Sequence, residues 1–348
     1  IANTVSTGAF TIPMMKKAGF RPHIAGGIEP AASIGGMFMP PIMGAGGFIM
    51  AELTGVPYSQ IMLIAIFPAL MYFFSVFMMV HFEAKKHNIV GEKSERNAME
   101  IFKAEWFYIT PLVVITIFML NGYSPGYSAI LGLIACLVVS WLRKETRIGP
   151  ARFVEAARKG ALSSLQIGAT LGVIGIIIGV LTYSGLILTF ADIVIEAADG
   201  KLWLTILFVA LASLVLGMGV PVTAAYLITA VVAVPALTHL GVNLIAAHMI
   251  VYWLSQDSNI TPPVCIAAFA GATIAKANMW KTAFTAFKFA KFLYLAPFLF
   301  GYVPAFSLDG SAADIGVAFA LIIIGTFLYS WLLSGIWLKS FRKSETAA

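Results

Sequence analysis

The stretch SQDSNITPPV, residues 255–264, contains the side chains of this sequence that are best suited to binding an ion. It begins at the end of residues 202–256, a run without Asp, Glu, Lys or Arg. Thr is a good N-cap, and Pro is tolerated at the first position of a helix. The pattern therefore predicts that one helix ends near SQDSN and another begins at Thr261. Freed carbonyl and hydroxyl groups could hold a cation there, and the amide end of the second helix could hold an anion.

Asp257 is the most deeply placed acidic residue in this half of the sequence. A carboxylate inside a membrane is costly and therefore indicates a function. Three roles are open from the residues alone. Asp257 could ligate Na⁺, carry a proton, or cap a helix end near water.

Two further segments have the composition of interrupted helices. SIGGMFMPPIMGAGG, residues 33–47, contains two adjacent glycines that permit an unwound backbone and two adjacent prolines. GMGVPVTAAY, residues 217–226, has glycines for an unwound turn, Pro221 to start a helix and Thr223 to offer a hydroxyl. NTVSTGAFTIP, residues 3–13, is similar to the second arm of a re-entrant hairpin. For each segment the alternative is a plain Pro or Gly kink in a continuous helix.

The remaining ionisable residues lead to simpler expectations. Glu29 and Glu52 flank the first interrupted segment and are expected near its solvated ends. Lys281, Lys288 and Lys291 share one face of a predicted helix and are expected to extend toward the cytoplasm. The histidines have no metal-ligand spacing.

The elements that position these residues are membrane helices. Hydrophobic residues make up 60% of the chain and charged residues only 11%, against ~45–50% and ~25% in soluble domains. Four uncharged runs reach the ~20 residues needed to cross a bilayer: residues 106–142, 161–191, 202–256 and 315–338. The composition predicts an all-α polytopic membrane protein. The net charge is +6, but the basic residues cluster between apolar runs, as expected of loops in a membrane protein, so they do not indicate a nucleic-acid partner.

The charge of the loops predicts the orientation. Cytoplasmic segments are rich in Lys and Arg, which applies to residues 16–23, 83–105, 143–160, 276–282 and 339–344. The acidic residues 307–314 and the GYSPG tip of a hairpin formed by residues 106–121 and 126–142 fall outside. We therefore expect a multi-pass protein of a bacterial or archaeal inner membrane with a cytoplasmic C-terminus.

An internal repeat relates the two halves. Pro41 and Pro263 lie 222 residues apart (263 minus 41), and the same offset relates several other pairs: Pro13 and Pro235, Gly19 and Gly241, Ser33 and Ser255. The loops that follow equivalent segments differ in charge, so the two copies are predicted to have opposite orientations. Inverted repeats with paired broken helices are typical of secondary transporters.

The repeat divides the sequence into four parts. Residues 1–82 form the first inverted repeat, with part of a hairpin and a broken helix, and residues 161–305 form the second. Residues 83–160 contain the cytoplasmic segments and the helical hairpin, and residues 306–348 contain an extra C-terminal membrane helix with a basic tail.

Two long segments carry a resemblance to a known family. TGAFTIPMMKKAGFRPHIAGGIEPAASIGGMFMPPIMGAGGFIMAELTGVPY and GMGVPVTAAYL followed by SNITPPVCIAAFAGATIAKANMWKT closely resemble the large membrane subunit of TRAP (tripartite ATP-independent periplasmic) transporters, over residues 1–305. The match is best to fused permeases of the TAXI branch. The resemblance implies Na⁺-driven import of a small organic anion, a carboxylate, by an elevator mechanism that uses no ATP and no organic cofactor.

The resemblance also implies site residues. The first Na⁺ site would involve Asn3, Ser33 and Gly36. The second would involve Gly217, Gly219, Thr223, Ser255, Asn259 and Thr261, and Asp257 is a further candidate for ion or proton coupling. The substrate carboxylate would lie near Thr7, Pro41, Thr223 and Pro263.

The family's partners follow in the same way. A periplasmic substrate-binding protein would deliver the anion, and a small membrane subunit or its fused equivalent would complete the transporter. The family begins its first hairpin before Ile1, so we expect that residues 1–348 alone do not transport.

Other functions stay open at this point. A Na⁺/carboxylate transporter that needs no binding protein would have the same broad architecture. A channel could use the hairpins alone. An intramembrane hydrolase could use Asp257, although the sequence contains no paired Asp motif, no Ser–His elbow and no zinc spacing.

Overall fold

The computed structural model of the protein describes residues 2–90 and 97–337. Over these residues the chain forms sixteen α-helices and no strand. In chain order they are α1 (Ala2–Lys17), α2 (Pro22–Gly35), α3 (Gly44–Thr54), α4 (Tyr58–Lys86), α5 (Ala98–Glu105), α6 (Thr110–Leu120), α7 (Pro125–Ser140), α8 (Pro150–Tyr183), α9 (Leu186–Ala197), α10 (Leu202–Leu216), α11 (Val222–His239), α12 (Leu244–Leu254), α13 (Ile266–Ala275), α14 (Met279–Phe289), α15 (Phe292–Tyr302) and α16 (Ala312–Ser334).

Several helices in the described part of the chain could cross a membrane. Five helical segments there are long and apolar enough to cross a bilayer: Tyr58–Lys86, Met99–Leu120, Val222–His239, Met279–Tyr302 and Ala312–Ser334. The end of α9 and all of α10 form a further candidate, with a bend of 119° between them. Helices satisfy their own backbone hydrogen bonds, which lipid cannot do. The predicted class, an all-α polytopic membrane protein, is confirmed.

The helix bounds follow the offset of 222 residues. The starts of α2 and α12 differ by 222, and so do those of α3 and α13. α1 and α11 both end shortly before a glycine with positive φ, Gly19 (109°) and Gly241 (87°). The prolines at 40–41 and 262–263 lie in the turns between the paired helices, joined by cis peptide bonds. Both interruptions are therefore breaks of the helix rather than kinks, whereas the opposite orientation of the copies stays a prediction.

The second helix of the later broken pair does not begin where the sequence analysis placed it. α13 begins at Ile266, after Cys265 with a φ of 32°, and Thr261 does not cap it. Thr261 and Pro262 each precede a proline, and a residue before proline is disfavoured in the α conformation. The helix can therefore start only after the pair. The Thr261 hydroxyl instead lies 2.6 Å from the hydroxyl of Tyr294 on α15.

The broken helices lie at the centre of the molecule. Every residue of α12 from 246 to 254 is buried. Phe38, in the turn between α2 and α3, stacks on Trp253 of α12 with ring centroids 4.0 Å apart. Where α2 and α13 cross, a Cβ on Gly271 would lie 2.2 Å from the carbonyl oxygen of Gly26. Small residues at such crossings allow membrane helices to approach closely.

The outer helices agree with the predictions in part. α6 and α7 form the predicted hairpin, with its turn at residues 121–124. Residues 150–160, expected as part of a loop, are instead the first turns of α8. Pro150 suits the first position of a helix, and the Ala, Arg, Glu and Lys residues that follow are good helix formers. The tail at 339–344 lies outside the described residues.

The lysines near α14 also differ from the expectation. Lys281 is exposed and Lys288 half-buried, but Lys291 is only 4% exposed. The Nζ atom of Lys291 donates to the hydroxyl (2.9 Å) and to the carbonyl (3.3 Å) of Ser75 on α4. Lys291 lies in the short interruption between α14 and α15 and is buried, so the expectation that it extends to the surface is wrong for this residue.

Candidate ion and substrate site

The first candidate site lies where α1 packs against α2. Asn3 Nδ2 donates a hydrogen bond of 3.1 Å to Ser33 Oγ. Farther along α1, the hydroxyls of Thr7 and Thr11 each donate to one carboxylate oxygen of Glu29. Residues four apart share a helix face, so these three α1 side chains form one polar row. The structure thus brings together two predicted Na⁺ ligands and adds a carboxylate beside them.

The position of Glu29 differs from the prediction of a solvated end. It lies in the middle of α2 and is 7% exposed. A buried carboxylate needs hydrogen-bond donors, and Thr7 and Thr11 supply them. The hydroxyl of Thr7, predicted to contact substrate, is therefore engaged with Glu29. The four-residue spacing of Thr7 and Thr11 indicates that the two hydroxyls share one helix face, but the sequence does not reveal that Glu29 is their partner.

The hydroxyls of two tyrosines donate hydrogen bonds to backbone carbonyls at the first break. The hydroxyl of Tyr252, on α12, donates to the carbonyl of Met37 at 2.8 Å and also contacts the carbonyl of Met43. The hydroxyl of Tyr58 donates to the carbonyl of Pro41, likewise at 2.8 Å. These contacts satisfy carbonyls that the break frees, so fewer backbone oxygens remain for an ion there.

The glycines of the first break serve packing rather than unusual backbone angles. Gly36, the C-cap of α2, has a φ of −62°, which any residue adopts. A Cβ on Gly35 would lie 2.5 Å from the ring of Phe73. The expectation that both glycines permit an unwound backbone is therefore wrong, because Gly35 permits close contact with α4 instead. Gly36 is exposed, next to the half-buried Ser33.

The second candidate site lies between the α10–α11 hairpin and the turn after α12. Gly217 ends α10, and a Cβ there would lie 2.8 Å from the hydroxyl of Ser258. Gly219 has a φ of 75°, which glycine tolerates best, and Thr223 lies in the first turn of α11. Ser258 belongs to the short 3₁₀ turn Asp257–Asn259. Gly217 thus lies where the hairpin packs closely against the turn of the second broken helix.

The remaining predicted ligands lie in or beside this turn. The hydroxyl of Ser255 donates to the carbonyl of Tyr252 at 2.7 Å. The side-chain amide of Asn259 donates to the carbonyl of Gln256 at 3.4 Å. In both cases the side chain uses a donor and keeps its oxygen lone pairs, which are the groups that a cation requires.

Several buried polar atoms near the second break have no hydrogen-bond partner among the described residues. They are Asp257 Oδ1, both polar side-chain atoms of Gln256, and the hydroxyl of Ser213 on α10. Asp257 is 3% exposed, so its carboxyl group does not lie near water in this structure. Leaving such atoms unpaired costs about 1–3 kcal/mol each. A carboxylate with neutral oxygens around it fits a hard cation, which prefers oxygen ligands.

The residues predicted for the substrate are more dispersed. Pro263 is exposed, while Pro41 and Thr223 are half-buried. In the described part of the chain no hydrogen bond joins any two of Thr7, Pro41, Thr223 and Pro263. The structure therefore places them on the two breaks and the two hairpin arms without assembling them into one contact.

One pair of functional candidates was missed in the sequence. Tyr72 and Tyr294 are related by the offset of 222 residues (294 minus 72). The hydroxyl of Tyr72 donates to the carbonyl of Ala31 on α2 at 2.6 Å, and Tyr294 contacts Thr261. Each tyrosine thus supports the broken helix of its own repeat. Comparing the two halves at that offset would have found them.

A family model described as "Tripartite ATP-independent periplasmic transporter, DctM component" matches residues 1–306. The chain belongs to the DctM family. This confirms the resemblance to the large membrane component of TRAP transporters, and it removes the intramembrane hydrolase from consideration because the family consists of transporter components.

Individual DctM relatives are distant. The chain is 24% identical over 270 residues to a Haemophilus influenzae protein named "Putative TRAP transporter large permease protein", covering 76% of this chain and 62% of the relative. It is 23% identical over 285 residues to the "Sialic acid TRAP transporter permease protein SiaT" of the same species, covering 79% and 44%. A third relative, "Uncharacterized protein YgiK" of Salmonella typhimurium, is 20% identical over 315 residues, covering 88% and 71%. The chain thus spans less than two thirds of the first two relatives.

Proposed function

We propose that this chain contributes to the Na⁺-driven uptake of a small organic anion through a bacterial or archaeal inner membrane. The anion is a carboxylate delivered by a periplasmic substrate-binding protein. A small membrane subunit, or a fused equivalent, completes the transporter. Transport follows an elevator mechanism, in which the two hairpins and the two broken helices move together.

The observation that carries this proposal is the pair of broken helices at the centre of the molecule. α2 and α3 on one side, and α12 and α13 on the other, are interrupted at equivalent positions inside a buried core. An interruption at membrane depth is tolerated where it lines a cavity or is buried in protein. In secondary transporters such interruptions, related by internal repeats, hold substrate and coupling ions.

Two features support Na⁺ as the coupling ion. At the second break, the unpaired Asp257 Oδ1 and Gln256 Oε1 offer oxygen atoms in a buried setting. At the first break, Asn3 and Ser33 are already in contact, and Asn3 Oδ1 remains available. Oxygen ligands of this kind suit a hard cation better than a soft one.

The substrate class rests on the relatives and on helix chemistry. One relative is named for sialic acid, which carries a carboxylate group, and this supports a carboxylate as the substrate of this chain. The N-termini of α3 and α13, next to Pro41 and Pro263, carry partial positive charge that favours an anion. We infer a small organic acid and leave its identity to experiment.

Substitution of the proposed Na⁺ ligands tests the assignment in the full-length protein. Thr223→Val and Asn259→Ala remove oxygen atoms, so each should raise the Na⁺ concentration for half-maximal uptake about tenfold, the loss of ~1.4 kcal/mol. Initial uptake rates in proteoliposomes at varied Na⁺ measure this.

Matched controls make this test specific. Thr116→Val removes a hydroxyl that bonds to its own helix on α6, and Asn121→Ala removes a side chain at the end of that helix. Both should leave the Na⁺ dependence unchanged. An unchanged Na⁺ dependence in both Thr223→Val and Asn259→Ala would overturn the ligand assignment.

A further inference from the structure

A cavity away from both breaks lies where the start of α2, the end of α4 and α14 meet. We call it the basic cavity. It has a volume of about 390 Å³, and its charged lining residues are Arg21, Glu83, Lys86 and Lys288. His23 and His87 also line it. Three basic side chains and a single carboxylate thus line the cavity, so it favours an anion.

The one acidic residue of this lining is already occupied. Glu83 Oε1 lies 3.1 Å from Nε2 of His87, and Glu83 is 7% exposed. The ammonium of Lys86 donates to the carbonyl of Ser334, at the end of α16. Glu83 also interacts electrostatically with Lys288. One carboxylate cannot neutralise both Arg21 and Lys288, so the lining keeps an excess of positive charge.

An apolar cavity adjoins the basic one. It has a volume of about 380 Å³ and lies between the α14–α15 segment and α16. Lys288 lines both cavities. The other lining residues are mainly apolar or aromatic, among them Phe287, Leu295, Phe298 and Leu333. Phe287 is 38% and Leu333 37% exposed, so this cavity opens on the outer surface of the helices.

We propose that the two cavities together bind one anionic phospholipid. Its phosphate contacts Arg21 and Lys288 in the basic cavity, and one acyl chain lies in the apolar cavity against Leu295 and Leu333. Arg and Lys are the side chains that bind phosphate, and basic pockets between membrane helices accommodate anionic headgroups. The loop charges place this end of the helices on the cytoplasmic side, where anionic lipids attract basic residues.

The adjacency of the two cavities distinguishes a lipid from a soluble anion. A free phosphate ion needs only the basic cavity, whereas a phospholipid needs a charged and an apolar compartment that meet. Lys288 lies at that junction, and its aliphatic stem can pack along the acyl chain while its ammonium reaches the phosphate. This inference depends on the membrane setting and not on Na⁺ coupling.

Titration of the detergent-purified protein tests the proposal. Phosphatidylglycerol, phosphatidylcholine with the same acyl chains, and inorganic phosphate are each added, and the shift of thermal unfolding gives an apparent Kd. We expect phosphatidylglycerol to bind at least about tenfold more tightly than phosphatidylcholine or inorganic phosphate. Arg21→Gln and Lys288→Gln should each weaken phosphatidylglycerol binding about fivefold, from ~1 kcal/mol per basic residue.

Two further variants complete the test. Lys103→Gln makes the same charge change on an exposed residue of α5 and should leave binding unchanged. Leu333→Trp narrows the apolar cavity and should weaken phosphatidylglycerol but not inorganic phosphate. If Lys288→Gln lowers the unfolding temperature without lipid, Arg21→Gln, whose side chain is exposed, decides the result.

The opposite outcomes overturn the proposal. Equal binding of the two phospholipids would show that charge does not select the ligand. Binding of inorganic phosphate as tight as that of phosphatidylglycerol, unaffected by Leu333→Trp, would identify a soluble anion site instead. Unchanged phosphatidylglycerol binding in Arg21→Gln and Lys288→Gln would exclude the basic cavity.

Discussion

The hydroxyl of Tyr252 forms a hydrogen-bonded contact between the two halves of the molecule. Its side chain belongs to α12 in the second repeat, but it reaches the carbonyls of Met37 and Met43 in the first break. Tyr252 and Met43 are both buried, whereas Met37 is half-buried. One side chain therefore stabilises the turn of the other repeat.

Removal of this hydroxyl should destabilise the protein measurably. Tyr252→Phe leaves the ring in place but takes the donor from the buried carbonyl of Met43, which should lower the free energy of unfolding by about 1–3 kcal/mol. Denaturant unfolding of the detergent-solubilised protein measures the change. Tyr123→Phe, at a half-exposed position in the α6–α7 turn, should change it by less than about 0.5 kcal/mol. A similar small effect in Tyr252→Phe would mean that the turn does not depend on this bond.

At the scale of elements, the two broken pairs pack directly on each other. α2 of the first repeat crosses α13 of the second, and the crossing point contains Gly26 and Gly271. A Cβ on Gly26 would itself lie 2.9 Å from the carbonyl oxygen of Gly271. Because both obstacles are backbone atoms, they cannot rotate away as a flexible side chain could. The close approach of the two helices therefore requires glycine on each.

A single methyl group should disturb this crossing. Gly271→Ala forces α2 and α13 apart, because its Cβ would meet the Gly26 carbonyl at 2.2 Å. Overpacking of this kind costs about 1–3 kcal/mol, which thermal unfolding in detergent would register as a lower midpoint. Gly126→Ala is the matched control, since its Cβ would meet nothing within 4 Å in α7. A Gly271→Ala protein as stable as Gly126→Ala would contradict the packing argument.

At the scale of the whole molecule, the proposed function requires components beyond this chain. Uptake of a labelled anion into proteoliposomes of the full-length transporter should be saturable and should require an inward Na⁺ gradient. It should also require addition of the cognate periplasmic binding protein, because that protein delivers the substrate. Each requirement is measured by omitting one component at a time.

The omission experiment also separates the alternatives. Na⁺-dependent, saturable uptake without any binding protein would favour a binding-protein-independent carboxylate transporter. Flux that does not saturate and ignores the Na⁺ gradient would favour a channel. Either result would leave the family assignment intact but replace the proposed mechanism.

The sequence by itself determined the helical membrane class, the two breaks and the repeat that relates them. These features are local, because apolar run length and the positions of proline and glycine act on the backbone within a few residues. It misplaced the start of α13, since the restriction that each proline imposes on the preceding residue outweighed the capping preference of Thr261.

Only the tertiary structure decided which polar groups meet. The contact of Tyr252 with Met37 spans 215 residues and that of Lys291 with Ser75 spans 216, so no local pattern reveals either. Burial of Glu29 likewise depends on α1 lying against α2 with Thr7 and Thr11 facing it. Spacing along a helix fixes which side chains share a face, but the packing of helices fixes what that face contacts.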